Sequence, residues 1–146
     1  MSNPSAVANK TAYELRGPCL CLHLRRAARA VARRFDATLR PMGLTNGQFS
    51  LLMLLNHTAA PSIGDVSAVL AMDRTTLTAN LKPLTRRGLV EVSIDEADKR
   101  SRRLTLTPAG HAVLTAAIPV WRKTHRTVEN FVADADRLRA DLRALS

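Results

Sequence analysis

The sequence predicts a mainly α-helical domain carrying one small β-hairpin, and three observations lead to that expectation. Aromatic residues make up only 3% of the 146 residues, so Leu, Val and Ala must fill the core, a composition that favours helices over a sheet sandwich. Apolar residues recur at three- and four-residue steps along most of the chain. The exception is a pair of alternating segments, LVEVSI and RLTLT, which flank the charged run DEADKRS as two strands flank a hairpin tip.

The length suits one domain, with a core that needs no disulfide or metal staple. Residues 1–17 are polar, punctuated by Pro4, Gly17 and Pro18, and read as a flexible arm. Residues 18–146 then read as a single domain. From Cys19 onward, Leu20, Leu24, Ala27, Ala28, Val31, Phe35 and Leu39 form one face of an amphipathic helix, and Arg25, Arg26, Arg29, Arg33 and Arg34 occupy the others. Pro41 and Gly43 end it.

The next helix opens at Thr45, where TNGQ offers a capping box with Gln48. Its body, FSLLMLLN, is apolar nearly all round and should form the buried centre. AAPS breaks the chain, and Ser62 with Asp65 starts the short helix IGDVSAVLA. Asp73 is a good N-cap for DRTTLTANLKPLTRRG, with Leu77, Leu81 and Leu84 as its apolar stripe and Gly88 as its stop. The opposite face carries Arg74, Thr75, Thr78 and Lys82, with Thr76 and Asn80 toward the sides. Pro83 removes an intrahelical hydrogen bond and should bend the helix.

After the hairpin, Thr107 with Pro108 at the first helical position starts another helix. Its stripe runs through Val113, Leu114, Ala117, Ile118, Trp121, Val128 and Phe131, with a bend expected at Pro119. Leu138, Leu142 and Leu145 mark a last helix. Two short helices joined by a tight turn and followed by a hairpin describe a winged helix-turn-helix over 45–107, with the charged loop as its wing. The helices of 18–44 and 108–146 lie outside that lobe, and a second subunit is the economical cover for their long apolar stripes.

Lysine and arginine number 22 against 12 acidic residues, a net charge of +10 that suggests a polyanionic partner. No apolar run approaches the roughly 20 residues that span a bilayer, and the N-terminal stretch lacks a signal-peptide pattern. A cytoplasmic protein without a membrane partner is therefore expected. Short polar side chains near a helix N-terminus suit DNA phosphates and base edges, although any surface helix also presents a solvated face.

No nucleophile–base motif, paired carboxylates or phosphate loop is present, so neither an enzyme nor a cofactor is expected. No metal is expected either: Cys19, Cys21 and His23 splay around a helix, and His57, His111 and His125 show no ligand spacing to join them. The two cysteines are either buried small apolar residues or reactive thiols. A helix N-terminus and Arg25, one turn from Cys21, favour a thiolate, while burial opposes it. Two apart on a helix, they point away from each other and form no easy mutual disulfide.

The run DRTTLTANLKPLTRRGLVEVSIDEADKRSRRLTLTPAG resembles the MarR family of bacterial regulators. It has that family's recognition helix ending in glycine, strand, Asp-x-Arg wing signature and Leu-Thr-x-x-Gly helix start, in that order. The resemblance covers about residues 19–146. It implies a homodimer with interleaved terminal helices and two winged lobes that read a pseudo-palindrome in double-stranded DNA, acting as a repressor. By position, Asp98 and Arg100 match the wing signature, with Arg100 entering the minor groove, Asp98 bracing an arginine or the loop, and Arg102 as a further wing cation. The recognition helix departs from the family at Ala79 and Pro83, where basic residues are frequent. DNA contacts are therefore expected from Arg74, Thr75, Thr76 and Thr78, with Asn80 and Lys82 second.

The segment LCLHLRRAAR is similar to the organic-peroxide-sensing branch of the family, whose peroxidatic cysteine falls at Cys21, with Cys19 beside it. The tyrosines of that branch are replaced by Arg25 and Phe35. The family's other signal is a small aromatic or phenolic effector. Here it would lie among Phe49, Met53 and Trp121, with Arg25 as anion partner. The competing class is a winged helix that serves only dimerisation or protein docking. The cationic wing weighs against that class, and salt dependence of binding separates the two.

Overall fold

The computed structural model describes residues 11–57 and 59–146. Residues 11–16 are helical (α1), where the polar composition had suggested a flexible arm. Ala12, Glu14, Leu15 and Arg16 are all good helix formers, and the Arg16 guanidinium lies 5.5 Å from the Tyr13 ring centroid, a spacing of three residues that only a helical turn provides. Residues 1–10 of the expected arm lie outside the described residues.

The elements that follow are α2 (Leu20–Leu39), a 3-10 turn (Arg40–Met42), α3 (Asn46–Leu55), α4 (Ile63–Leu70), α5 (Arg74–Arg86), β1 (Val90–Ile94), β2 (Arg102–Leu106), α6 (Pro108–Glu129) and α7 (Ala135–Ala144). The chain forms two units, one ending at Arg34 and one beginning at Phe35. In the first, the His23 ring nitrogen donates to the Gly17 carbonyl at 2.7 Å, which ties the start of α2 to the preceding turn. Leu20, Cys19 and Cys21 are exposed.

The second unit is built around α3. Thr45 and Gln48 form the full capping box, with side chain and backbone bonded in both directions. Upstream, Gly43 takes the left-handed conformation (φ 67°) that ends the 3-10 turn, a backbone region open to glycine without Cβ strain. Phe49, Leu51, Leu52 and Leu55 are buried, and α3 packs on α4, α5, α6 and β2. Each such side chain contributes roughly 1.5–3 kcal/mol by leaving water. Trp121 of α6 stacks on Phe35 and Phe49, at centroid distances of 5.9 and 5.7 Å, and on His125 at 4.6 Å.

β1 and β2 pair antiparallel, from Val90 opposite Leu106 to Ile94 opposite Arg102. The alternation in LVEVSI had predicted a half-buried strand, but only Val90 of β1 is buried, and Val92 and Ile94 are exposed. The hairpin is covered from its base to mid-strand, where Val90, Leu104 and Leu106 are buried and β2 packs on α3, α4 and α6, and its tip is uncovered. That base rests on the start of α6. Thr107 accepts from the Gly110 amide and donates to the Gly88 carbonyl, and a Cβ at Gly110 would land on the Leu89 carbonyl oxygen. The Leu-Thr-x-x-Gly sequence is thus the seam between hairpin and helix.

Both internal prolines lie within unbroken helices. Each deprives the carbonyl four residues earlier of its bond. Those residues, Ala79 and Thr115, are exposed, so water can serve instead.

Candidate DNA interface

Leu77, Leu81 and Leu84 are buried, so α5 turns Arg74, Thr75, Thr78 and Lys82 outward. Its first turn is held by Asp73, which accepts from the Thr76 amide at 2.8 Å and the Thr76 hydroxyl at 2.9 Å. Those bonds, the amide first, hold the Asp73 carboxyl below the usual carboxylate range. The Thr78 hydroxyl donates to the Arg74 carbonyl at 2.8 Å. The outward face forms a shallow depression of about 400 Å³ lined by Arg74, Thr75, Thr78, Ala79 and Lys82.

Asn80 lies toward the side of α5. Its amide donates to the Thr76 carbonyl at 2.9 Å, and its oxygen lies against Gly47, 2.9 Å from where a Cβ there would stand. Asn80 therefore packs on the first turn of α3 and does not share the face of Arg74 and Lys82. The small residue at Gly47 is what admits it. Thr76, bonded to Asp73, belongs to the cap.

The wing is shaped by two aspartates. Asp98 accepts from the Arg100 amide at 3.0 Å, while its carbonyl accepts from the Ser101 amide at 2.8 Å. It braces the loop backbone, one of the two roles expected of it. The Arg102 guanidinium folds onto the Lys99 and Ser101 carbonyls, both at 3.1 Å. Arg100, Ser101 and Arg102 meet Arg74 and Thr78 of α5 and Ile63 and Gly64 of α4 around a cleft of about 210 Å³. Three arginines from two elements 26 residues apart in sequence, at Arg74 and Arg100, thus share one concavity.

Sequence reasoning passed over the pair that holds this wing. Arg103 donates to Asp95 through Nε at 2.8 Å and approaches it through Nη2 at 2.7 Å, and its Nη1 donates to the Ala60 carbonyl at 3.1 Å. The Ala97 amide first, then Arg103, hold the Asp95 carboxyl below the usual range. Opposite charges on either side of the tip were the available signal. Beside them, Ser62 and Asp65 complete the α4 capping box, and the Ser62 hydroxyl and amide lower the Asp65 pKa more than nearby Arg103 does.

The other candidates are dispersed. Phe49 and Trp121 stack, Phe49 buried in the core and Trp121 half-buried over it, while Met53 is exposed. Arg25 belongs to the first unit. Cys19 and Cys21 are both exposed, so neither packs into a core within this chain. Among the described residues, no three His, Cys, Asp or Glu side chains cluster as metal ligands, and no helix is long and apolar enough to cross a membrane.

A helix capped at its exposed end, seated on a buried three-leucine stripe and flanked by a cationic hairpin tip, defines the winged helix-turn-helix class. Residues 42–101 match the MarR family model. The chain is similar to the M. tuberculosis transcriptional regulator MosR, solved in complex with DNA. The two are 40% identical with a TM-score of 0.79, over 87% of this chain and 92% of that one. It is 27% identical over 101 residues to the organic hydroperoxide resistance transcriptional regulator of Bacillus subtilis, covering 69% of each. It is 36% identical over 74 residues to the transcriptional activatory protein BadR of Rhodopseudomonas palustris, 49% of this chain but only 42% of that protein. The chain belongs to the MarR family of winged-helix transcriptional regulators.

Proposed function

We propose that the protein is a cytoplasmic homodimeric repressor that binds a pseudo-palindromic operator in double-stranded DNA and leaves it on a chemical signal. The carrying observation is the cleft that joins Arg74 and Thr78 of α5 to Arg100 and Arg102 of the wing. In this reading α5 enters the major groove, with Arg74, Thr75 and Thr78 at base edges and Lys82 on a phosphate. Arg100, whose backbone Asp98 fixes, reaches the minor groove, and Arg102 supports the tip. The winged lobe spans 45–107, and the flanking helices make the dimer. Exposed Leu138, Leu142 and Leu145 on the C-terminal segment, and exposed Leu20 in α2, support that assignment, because stripes of this kind are ordinarily covered.

The signal is read as thiol oxidation at Cys21, with Cys19 beside it. Two exposed thiols and the similarity to a hydroperoxide-resistance regulator support it over an aromatic effector, whose expected walls Phe49 and Trp121 are packed together.

Fluorescence anisotropy on the chain's own upstream DNA tests both parts. Expected are specific binding that weakens steeply with salt, loss after mild organic peroxide and recovery with dithiothreitol. Salt-indifferent or absent binding removes the DNA assignment. Binding unmoved by peroxide removes the thiols and turns attention to small ligands.

A further inference from the structure

Most wing cations point toward the cleft or the loop, but Arg103 is turned the other way. Its guanidinium spans the Asp95 carboxylate on one side of the hairpin tip and the Ala60 carbonyl on the chain entering α4. Two backbone links run beside it: the Leu104 amide donates to the Pro61 carbonyl at 3.0 Å, and Ser62 forms an isolated bridge with Arg103. The Asp95 side chain is only 12% exposed, Arg103 40%. Ile94, opposite Arg102 on the tip side of this point, and Val92, on its base side, are both exposed, so little apolar packing fixes the tip.

The geometry points to the Asp95–Arg103–Ala60 bridge as a clamp that positions the wing, and through it Arg100, for the DNA minor groove. This rests on the DNA-contact reading of Arg100 given above. The physical argument is leverage. A two-stranded ribbon whose buried residues end at Leu104 swings about that point, and a charge-assisted contact in which two Arg103 nitrogens converge on one Asp95 oxygen, with a third anchor on another segment, restrains the swing. Arg103 and Asp95 are thus positioning residues that touch no base.

The clamp makes a prediction opposite in sign to simple electrostatics. Removing a carboxylate from a DNA-facing loop should tighten binding by lessening repulsion of phosphate. That is the expectation for Glu96→Gln, an exposed wing carboxylate one residue along. Asp95→Asn makes the same change in net charge, yet should weaken operator binding about fivefold, because the wing is released. The double exchange Asp95→Arg with Arg103→Asp should bind more tightly than Arg103→Asp alone, since it restores the ion pair.

Hydrogen exchange on the DNA-free protein separates this idea from the DNA assignment. The Leu104 amide should exchange faster in Asp95→Asn than in the wild type and be unchanged in Glu96→Gln. Asp95→Asn that binds as tightly as Glu96→Gln, or leaves Leu104 exchange at the wild-type rate, overturns the clamp. Wild-type protein that fails to bind DNA at all overturns the positioning role and the interface together, and faster Leu104 exchange then leaves only a structural restraint.

Discussion

The recognition helix and the wing carry cations into the same cleft but are held there by different physics. α5 is fixed by three buried leucines and a cap made within its own first turn. The wing has a covered base, an aspartate that shapes its loop, and polar links to a segment more than 40 residues away in sequence. The comparison teaches that the outward residues of the helix should be insensitive to everything short of unfolding, whereas the wing's can be displaced with the fold intact.

The sharpest way to break that comparison is in the core. Leu77→Ala, at a fully buried position, should cost about 3 kcal/mol of folding stability, read from the denaturant midpoint, with operator affinity kept wherever the protein remains folded. Lost affinity in a folded variant would show α5 to be movable too.

Gly110→Ala should come next, at about 2 kcal/mol, because the new methyl meets the Leu89 carbonyl and Leu106 Cδ1 at the wing's base. Here stability and affinity should fall together, since the seam supports both. An unshifted melting temperature would mean the seam is slack.

Arg100→Ala sharpens the contrast. Affinity should fall by about 1–3 kcal/mol with melting temperature and oligomeric state unchanged. Unaltered affinity would remove the wing from the interface.

The smallest effect is acid-side. Asp73 and Asp95 have carboxyls held below the usual range. A depressed folded-state pKa contributes stability that is present above the unfolded value and lost as pH falls through the folded one. Asp73 is exposed and Asp95 sits at the base of an exposed loop with water at hand, so the change is modest. The Thr76 and Ala97 amide resonances should shift only below about pH 4, and a transition near neutrality would assign control to another group.

The net charge pointed to a polyanion for a reason only partly local to the interface. Residues 45–107 hold eight lysines and arginines against six acids, whereas Leu20–Leu39 alone holds five arginines against one aspartate. Placement by the cleft, and not total charge, makes Arg74 and Arg100 candidates. Phe49 and Trp121 stack on each other, and apolar walls and apolar filling have the same sequence pattern.

What the sequence determined by itself was a set of caps and stripes closed within about four residues. The capping boxes at Thr45 and Ser62, the Asp73 and Thr107 caps and the leucine stripe of α5 all depend on partners one turn away, which spacing reveals. Tertiary structure alone decided that Asn80 turns onto Gly47, that Arg103 reaches Ala60, that Val92 and Ile94 stay uncovered, and that Cys19 and Cys21 are exposed. Each of these depends on which distant segment arrives, or fails to arrive, beside a side chain. Helical and strand periodicity fixes the direction a residue points along its own element, and carries no information about what stands opposite.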